Sequence, residues 1–199
     1  MSLKDKLLSS YLTFQENTDL DNSIHDIKDE AIKVFEEHGF PTRKDENWKY
    51  TSLNSLTKPD YSLVSHADDA IEFKDVKKYF LNDIDTYKIV FIDGVYSSYL
   101  SETTHDGVDV CLLSSALTKP KFKQVIDVYF NKIAKKESLT ALNTAFAKEG
   151  AYIYVPKSRA VNKPIQIVHF STGNEANLML QPRNLIVAEE NAEVQVIER

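Results

Sequence analysis

Apolar residues recur every three to four positions through the first forty residues and again over 121–150, while short extended runs occupy parts of 87–113 and alternate beyond Gly150. That change of period separates helical from extended segments. Ser2 with Asp5 predicts a capped first helix carrying Leu3, Leu7, Leu8, Tyr11 and Leu12 on one stripe; Ser23 with Asp26 predicts a second, with Ile24, Ile27, Ala31, Ile32 and Phe35, stopped by Gly39. Both stripes read as faces packed on the body of the same protein. Residues 57–75, with Pro59 and His66-Ala67-Asp68-Asp69, read as a surface connection. Tyr87–Ile92 and Val95–Leu100 flank Asp93-Gly94, a strong hairpin signal, and a strand from Val108 to Leu113 follows Asp106-Gly107. Phe122, Val125, Ile126, Tyr129, Phe130 and Ile133 predict a core-facing helix over 121–134, and a further helix runs from Ser138 through Leu139, Leu142 and Phe146 to Gly150.

Beyond Gly150 the period is two. Tyr152–Val155, Ile165–Phe170, Leu185–Val187 and Val194–Ile197 are short strands separated by turn clusters such as Pro156-Lys157-Ser158 and Asn174-Glu175-Ala176-Asn177. The class is therefore α+β, with a helical region over 1–83 and a hairpin, two helices and the start of a strand-rich core over 84–199. Even strand spacing fits a sandwich, a barrel or the first coils of a β-helix, and periodicity does not choose among them. Arg199 directly follows an apolar strand, so the natural protein is expected to continue, with its C-terminal remainder absent here. The edge left open near Val194–Ile197 predicts self-association of this piece.

Composition narrows the function classes. The chain has 199 residues, 42% of them hydrophobic, enough for a sizeable core. A net charge of −6 argues against a phosphate-backbone binder, so no nucleic acid partner is expected. A single cysteine, Cys111, forms no internal disulfide, and no run reaches the roughly 20 apolar residues of a membrane span. The polar start, Met1-Ser2-Leu3-Lys4, lacks the apolar stretch of a signal peptide. A cytoplasmic protein without a membrane partner is expected.

Candidate chemistry is sparse. Cys111 falls on the strand face opposite Val108, Val110 and Leu112 and reads as a small, inert residue; His105 is six positions away and His169 remote. No pair has the close spacing of zinc or cluster ligands. Lys44, Asp45 and Glu46 are explained by capping and by carboxylates at the positive end of a helix dipole, and Arg43 with Lys49 is placed to hold an acidic segment over a packed Trp48. No nucleophile elbow and no GxxxxGK[ST] loop is present, so the reading is non-catalytic.

The run Gly39-Phe40-Pro41-Thr42-Arg43-Lys44-Asp45-Glu46-Asn47-Trp48-Lys49-Tyr50-Thr51 contains the sole tryptophan. It resembles the N-terminal signature of the SufB/SufD family of the SUF iron-sulfur cluster assembly machinery, on the SufD side of that family. Phe91-Ile92-Asp93-Gly94 resembles the family's strand and turn. Leu142–Gly150, Ile153–Pro156 and Lys163-Pro164-Ile165 resemble the way the family's chain leads into its β-helix; Gln181–Val187, Asn191–Val194 and Ile197-Glu198 resemble its first coils. The likeness implies a helical region followed by a right-handed parallel β-helix, in a non-catalytic scaffold that works with SufB and the ATPase SufC. An iron-sulfur cluster, ATP on SufC and flavin then belong to the complex, with no cofactor on this chain. Arg43, Lys44, Asp45, Glu46, Trp48, Lys49 and Tyr50 match the signature and read as structural. The family's cysteine and histidine positions near the SufB interface have no counterpart here. Two other readings stay open: a stand-alone adaptor using the Trp48 region as a protein-binding patch, and a β-helix carbohydrate-active enzyme, which needs carboxylates repeating along one groove.

Overall fold

The computed structural model describes residues 1–16, 22–63, 71–102, 107–133, 137–174 and 176–199, with the side chains of residues 22 and 23 excepted. The expected cap at Ser23, the His66–Asp69 stretch, His105, Asp106, Ala134 and Glu175 lie outside the described residues.

Helix α1 (Leu3–Glu16) opens as expected: the Ser2 N–H donates to Asp5 Oδ2 at 3.0 Å and the Asp5 N–H donates to Ser2 Oγ at 3.2 Å. The Ser2 bonds hold the Asp5 carboxyl below its ordinary range. Its buried stripe is narrower than predicted, because Leu3, Leu7 and Tyr11 turn inward while Leu12 is 67% exposed. Helix α2 (Asn22–His38) buries Ile24, Ala31, Ile32 and Phe35. It ends where expected, with Gly39 at φ 65° donating its N–H to Phe35 O at 2.7 Å. After the short helices α3 (Asn54–Thr57) and α4 (Phe73–Val76), a 3-10 turn over Lys77–Tyr79 leads toward the first sheet.

Strand β1 (Tyr87–Ile92) pairs antiparallel with the two-residue β2 (Val95–Tyr96). The turn between them places Asp93 and Gly94 at φ 46° and 78°, the left-handed pair that a two-residue hairpin demands. Strand β3 (Asp109–Leu112) stops one residue early, and the chain turns at once into α5 (Leu113–Leu117), a helix the alternation did not predict. Helix α6 (Pro120–Tyr129) starts on its proline and ends well short of residue 134, because Asn131 adopts φ 54°. Ile133 is consequently 84% exposed rather than core-facing. Helix α7 (Ser138–Phe146) is capped by Glu137, whose carboxylate accepts the Thr140 N–H at 2.7 Å. It ends four residues before Gly150.

Strands β4 (Ala151–Val155), β5 (Ile165–Phe170), β6 (Leu185–Ala188) and β7 (Val196–Glu198) complete two open sheets, ordered β2-β1-β5-β7 and β3-β4-β6. The fold is mixed α+β with mixed sheets, and two open sheets by themselves do not establish the expected parallel β-helix. Beyond Gly150 the parallel pairings keep a nearly fixed offset, with Tyr152 on Leu185, Ala160 bridging Glu193 and Ile165 on Val196, separations of 33, 33 and 31 residues, whereas β1 pairs parallel with β5 at a separation of 78.

Among the described residues, four clusters form the core. Leu3, Leu7, Tyr11 and Phe35 meet Leu142 and Phe146, so α1, α2 and α7 share one of them. Between the sheets, Ile89, Phe91, Ile165 and Ile167 of the first face Val110 and Ile153 of the second. The outer face of the second sheet is covered by α5 and α6 through Leu113, Phe122 and Ile126 on Tyr152 and Val187. Val76 and Phe80 cover Val90, Ile92 and Val168 on the outer face of the first. Sheets buried on both faces explain why Ile89-Val90-Phe91-Ile92 is continuously apolar.

Candidate functional site

The signature run leaves the core at Gly39. The aliphatic stem of Lys4 lies across that glycine, and Phe40 packs edge-on against Phe35 with ring centres 5.1 Å apart. From there the chain runs outward in successive turns. Asp45 ties the first, accepting the Thr42 N–H at 2.7 Å and the Thr42 hydroxyl at 3.0 Å, while Thr42 Oγ1 accepts the Lys44 N–H at 3.2 Å. These bonds hold the Asp45 carboxyl below its ordinary range, a structural use of this carboxylate. A 3-10 turn over Glu46–Trp48 follows, with the Thr51 N–H closing on Trp48 O at 2.9 Å.

The tryptophan is not the packed anchor that its size predicts. Trp48 is half-buried and belongs to none of the four core clusters, and Tyr50 is 91% exposed with the Lys49 ammonium 5.7 Å over its ring. Arg43 and Lys44 are exposed, and among the described residues neither side chain makes a hydrogen bond or ion pair. The expected clasp of Arg43 and Lys49 on an acidic segment is therefore absent among the described residues. Trp48→Ala should cost about 1–2 kcal/mol, below the range of a fully buried ring. Urea unfolding checks this, and a loss above about 3 kcal/mol would mean that the segment is docked on the core.

Between Phe40–Lys44 and the turn Ser52–Thr57 lies an open groove of about 520 Å³. Its walls mix apolar surface from Phe40, Pro41 and Leu53 with the cations Arg43 and Lys44. Residues 41–63 contain no buried side chain, yet they are held in defined turns.

Elsewhere the chemistry is quiet. Cys111 lies opposite Tyr152 in the β3–β4 ladder, on the α5–α6 side of the sheet, while Val110 and Leu112 face the other sheet. Burial pushes its thiol up, with Lys119 opposing, so the thiol stays protonated at neutral pH. His169 stacks on Phe91 and points its Nε2 at Glu198 Oε1, 3.2 Å away. Among the described residues no group of three or more His, Cys, Asp or Glu side chains is arranged to hold a metal ion, and no helix is long and apolar enough to cross a membrane. Asp93 of the hairpin turn and Lys28, which the sequence did not single out, are among the buried polar residues. Asp93 accepts the Thr172 N–H at 3.0 Å and the Thr172 hydroxyl, pinning the hairpin turn to the end of β5. Lys28 is 1% exposed with no hydrogen-bond partner for its ammonium. A signal for it existed, since it sits midway between Ile24 and Ile32 on the buried stripe.

Capping boxes, a helix pair, mixed sheets and an outlying Trp-bearing arm define an α+β module in which no described group of three or more His, Cys, Asp or Glu side chains is arranged to hold a metal ion. Residues 1–167 match the family model described as the SufBD protein N-terminal region, and the chain belongs to that family. It is 29% identical over 164 residues to the iron-sulfur cluster assembly protein SufD of Escherichia coli (strain K12), covering 80% of this chain and 35% of that protein. It is 25% identical over 159 residues to an iron-sulfur cluster assembly SufBD family protein of Synechocystis sp., covering 79% and 35%. SufD of Bacillus subtilis (strain 168) gives 29% over 156 residues, covering 76% and 35%. The chain thus spans about a third of the length of these relatives.

Proposed function

We propose that this chain is a non-catalytic scaffold element of SUF iron-sulfur cluster assembly, acting with SufB and the ATPase SufC. The observation that carries the reading is the family match over residues 1–167, backed by relatives whose names state iron-sulfur cluster assembly. The offsets of 33, 33 and 31 residues between the parallel pairings beyond Gly150 support a further part of it: β4–β5 and β6–β7 as the first two coils of a parallel β-helix. In that arrangement α5 and α6 on one sheet and Val76 with Phe80 on the other act as covers for the first coils. The cluster itself is cargo of the complex. A site for it on this chain would need about four ligands, mostly thiolates, against one half-buried cysteine with a raised pKa. The half-exposed Trp48 and exposed Tyr50 favour the adaptor reading as the second choice.

Two measurements test the proposal. Co-expressed with SufB and SufC, the chain is expected to co-purify with them, and its consistent absence from the purified complex would favour the adaptor. After anaerobic reconstitution and desalting, the chain alone should retain close to no iron or acid-labile sulfide. Stoichiometric retention that disappears in Cys111→Ser would overturn the assignment of cluster chemistry to other subunits.

A further inference from the structure

The groove beside the signature arm differs in charge from the rest of the molecule. The chain carries a net −6, yet residues 40–58 hold Arg43, Lys44, Lys49 and Lys58 against only Asp45 and Glu46. Asp45 is committed to Thr42, while Arg43 and Lys44 line the groove with no carboxylate partner among the described residues. Lys4, whose stem crosses Gly39, brings a further ammonium to the Phe40 end. Unpaired cations in a protein rich in carboxylates show that this stretch is not neutralised by its own surface. Phe40, Pro41 and Leu53 give the groove an apolar part, and Asn54 adds a side-chain amide with no intramolecular hydrogen bond among the described residues. Its volume of about 520 Å³ is in the range of ligand-holding clefts.

We infer that the groove between Phe40–Lys44 and Ser52–Thr57 docks an acidic peptide segment of a partner protein, with one apolar side chain of that segment on the apolar part formed by Phe40, Pro41 and Leu53 and its carboxylates on Arg43 and Lys44. Arg43 is suited to the bidentate grip of a carboxylate, and Lys44 supplies a mobile point charge next to it. The inference stands apart from the proposed function, since it concerns what this surface binds whichever complex the chain serves.

The test uses the intact chain and a fluorescein-labelled twelve-residue peptide in which glutamates alternate with leucines, followed by anisotropy. Trp48, the sole tryptophan and part of the same arm, supplies a second readout through its emission. Saturable binding that weakens about tenfold in the double variant Arg43→Glu/Lys44→Glu, and weakens with added salt, is expected. Both replaced side chains are exposed and unbonded, so an unchanged circular dichroism spectrum and unfolding midpoint should accompany the loss. Leu53→Asp should weaken the peptide as well, separating a seated segment from diffuse attraction. Absence of binding at millimolar peptide overturns the inference. So does affinity that survives the double variant, or equal binding of a lysine–leucine peptide or of an oligothymidylate of matched charge.

Discussion

Gly150→Ala is expected to lower the stability of this chain by about 3 kcal/mol or more, although it adds a single methyl group. A Cβ at residue 150 would fall 1.9 Å from the carbonyl oxygen of Arg183 and 2.5 Å from its carbonyl carbon, both main-chain atoms. Three hydrogen bonds hold the junction against any shift: Leu113 N–H to Gly150 O at 2.8 Å, Arg183 N–H to Glu149 O at 3.1 Å, and Ala151 N–H to Asn184 Oδ1 at 2.8 Å. Relieving the clash means separating the start of β4 from the segment leading into β6, and each bond broken costs about 1 kcal/mol. Urea titration of the variant against the parent measures the effect. A shift below about 1 kcal/mol would show that the two segments part easily and that this junction does not set their register.

Lys28 should make the protein more stable in mild alkali than at neutrality. Burial pushes its ammonium down from 10.5 to about 8, and the Phe14 ring, its centre 5.4 Å from the ammonium, is a weak substitute for water. Between those two values the unfolded chain keeps a proton that the folded chain has released. Stability therefore rises with pH through this window, by up to about 3 kcal/mol, and that increment is lost as pH falls through about 8. The rise ends near pH 10. There Tyr11 and Tyr152, whose phenols are pushed up chiefly by burial, stay protonated in the fold while the unfolded chain ionises, which works in the opposite direction. Lys28→Met should be more stable at pH 7 by about 2–3 kcal/mol and should lose the rise above pH 8. Thermal or urea midpoints across pH 7–10 decide it. A flat profile in the parent, or a less stable methionine variant, would mean that the ammonium is solvated in the folded state.

Pattern reading decides neither feature, for related reasons. Gly150 looks like a helix stop, yet α7 ends at Phe146 because the chain turns extended at Ala147, and the glycine answers instead to a carbonyl from a segment thirty-three residues on. Lys28 reads as a solvated charge until its neighbours in three dimensions are known, since a lysine on a stripe between isoleucines is equally compatible with a side chain that snorkels to water. Trp48 failed in the other direction. Size and rarity suggested an anchor, but whether a ring is covered depends on which distant segment folds over it, and none of the core clusters reaches it.

What the sequence determined by itself was local. The Ser2–Asp5 cap, the Gly39 stop, the Asp93-Gly94 hairpin turn and the β5 strand from Ile165 to Phe170 each depend on interactions within a few residues or on a two-residue period, and each lies where the pattern put it. The family match over residues 1–167 is likewise carried by the sequence itself. The tertiary structure decided the early end of α6 at Asn131, the unpredicted turn of β3 into α5, the pairing of strands about thirty residues apart, and the exposure of the arm. These outcomes depend on which surfaces meet, and contact between segments far apart in sequence leaves no periodic trace in either one.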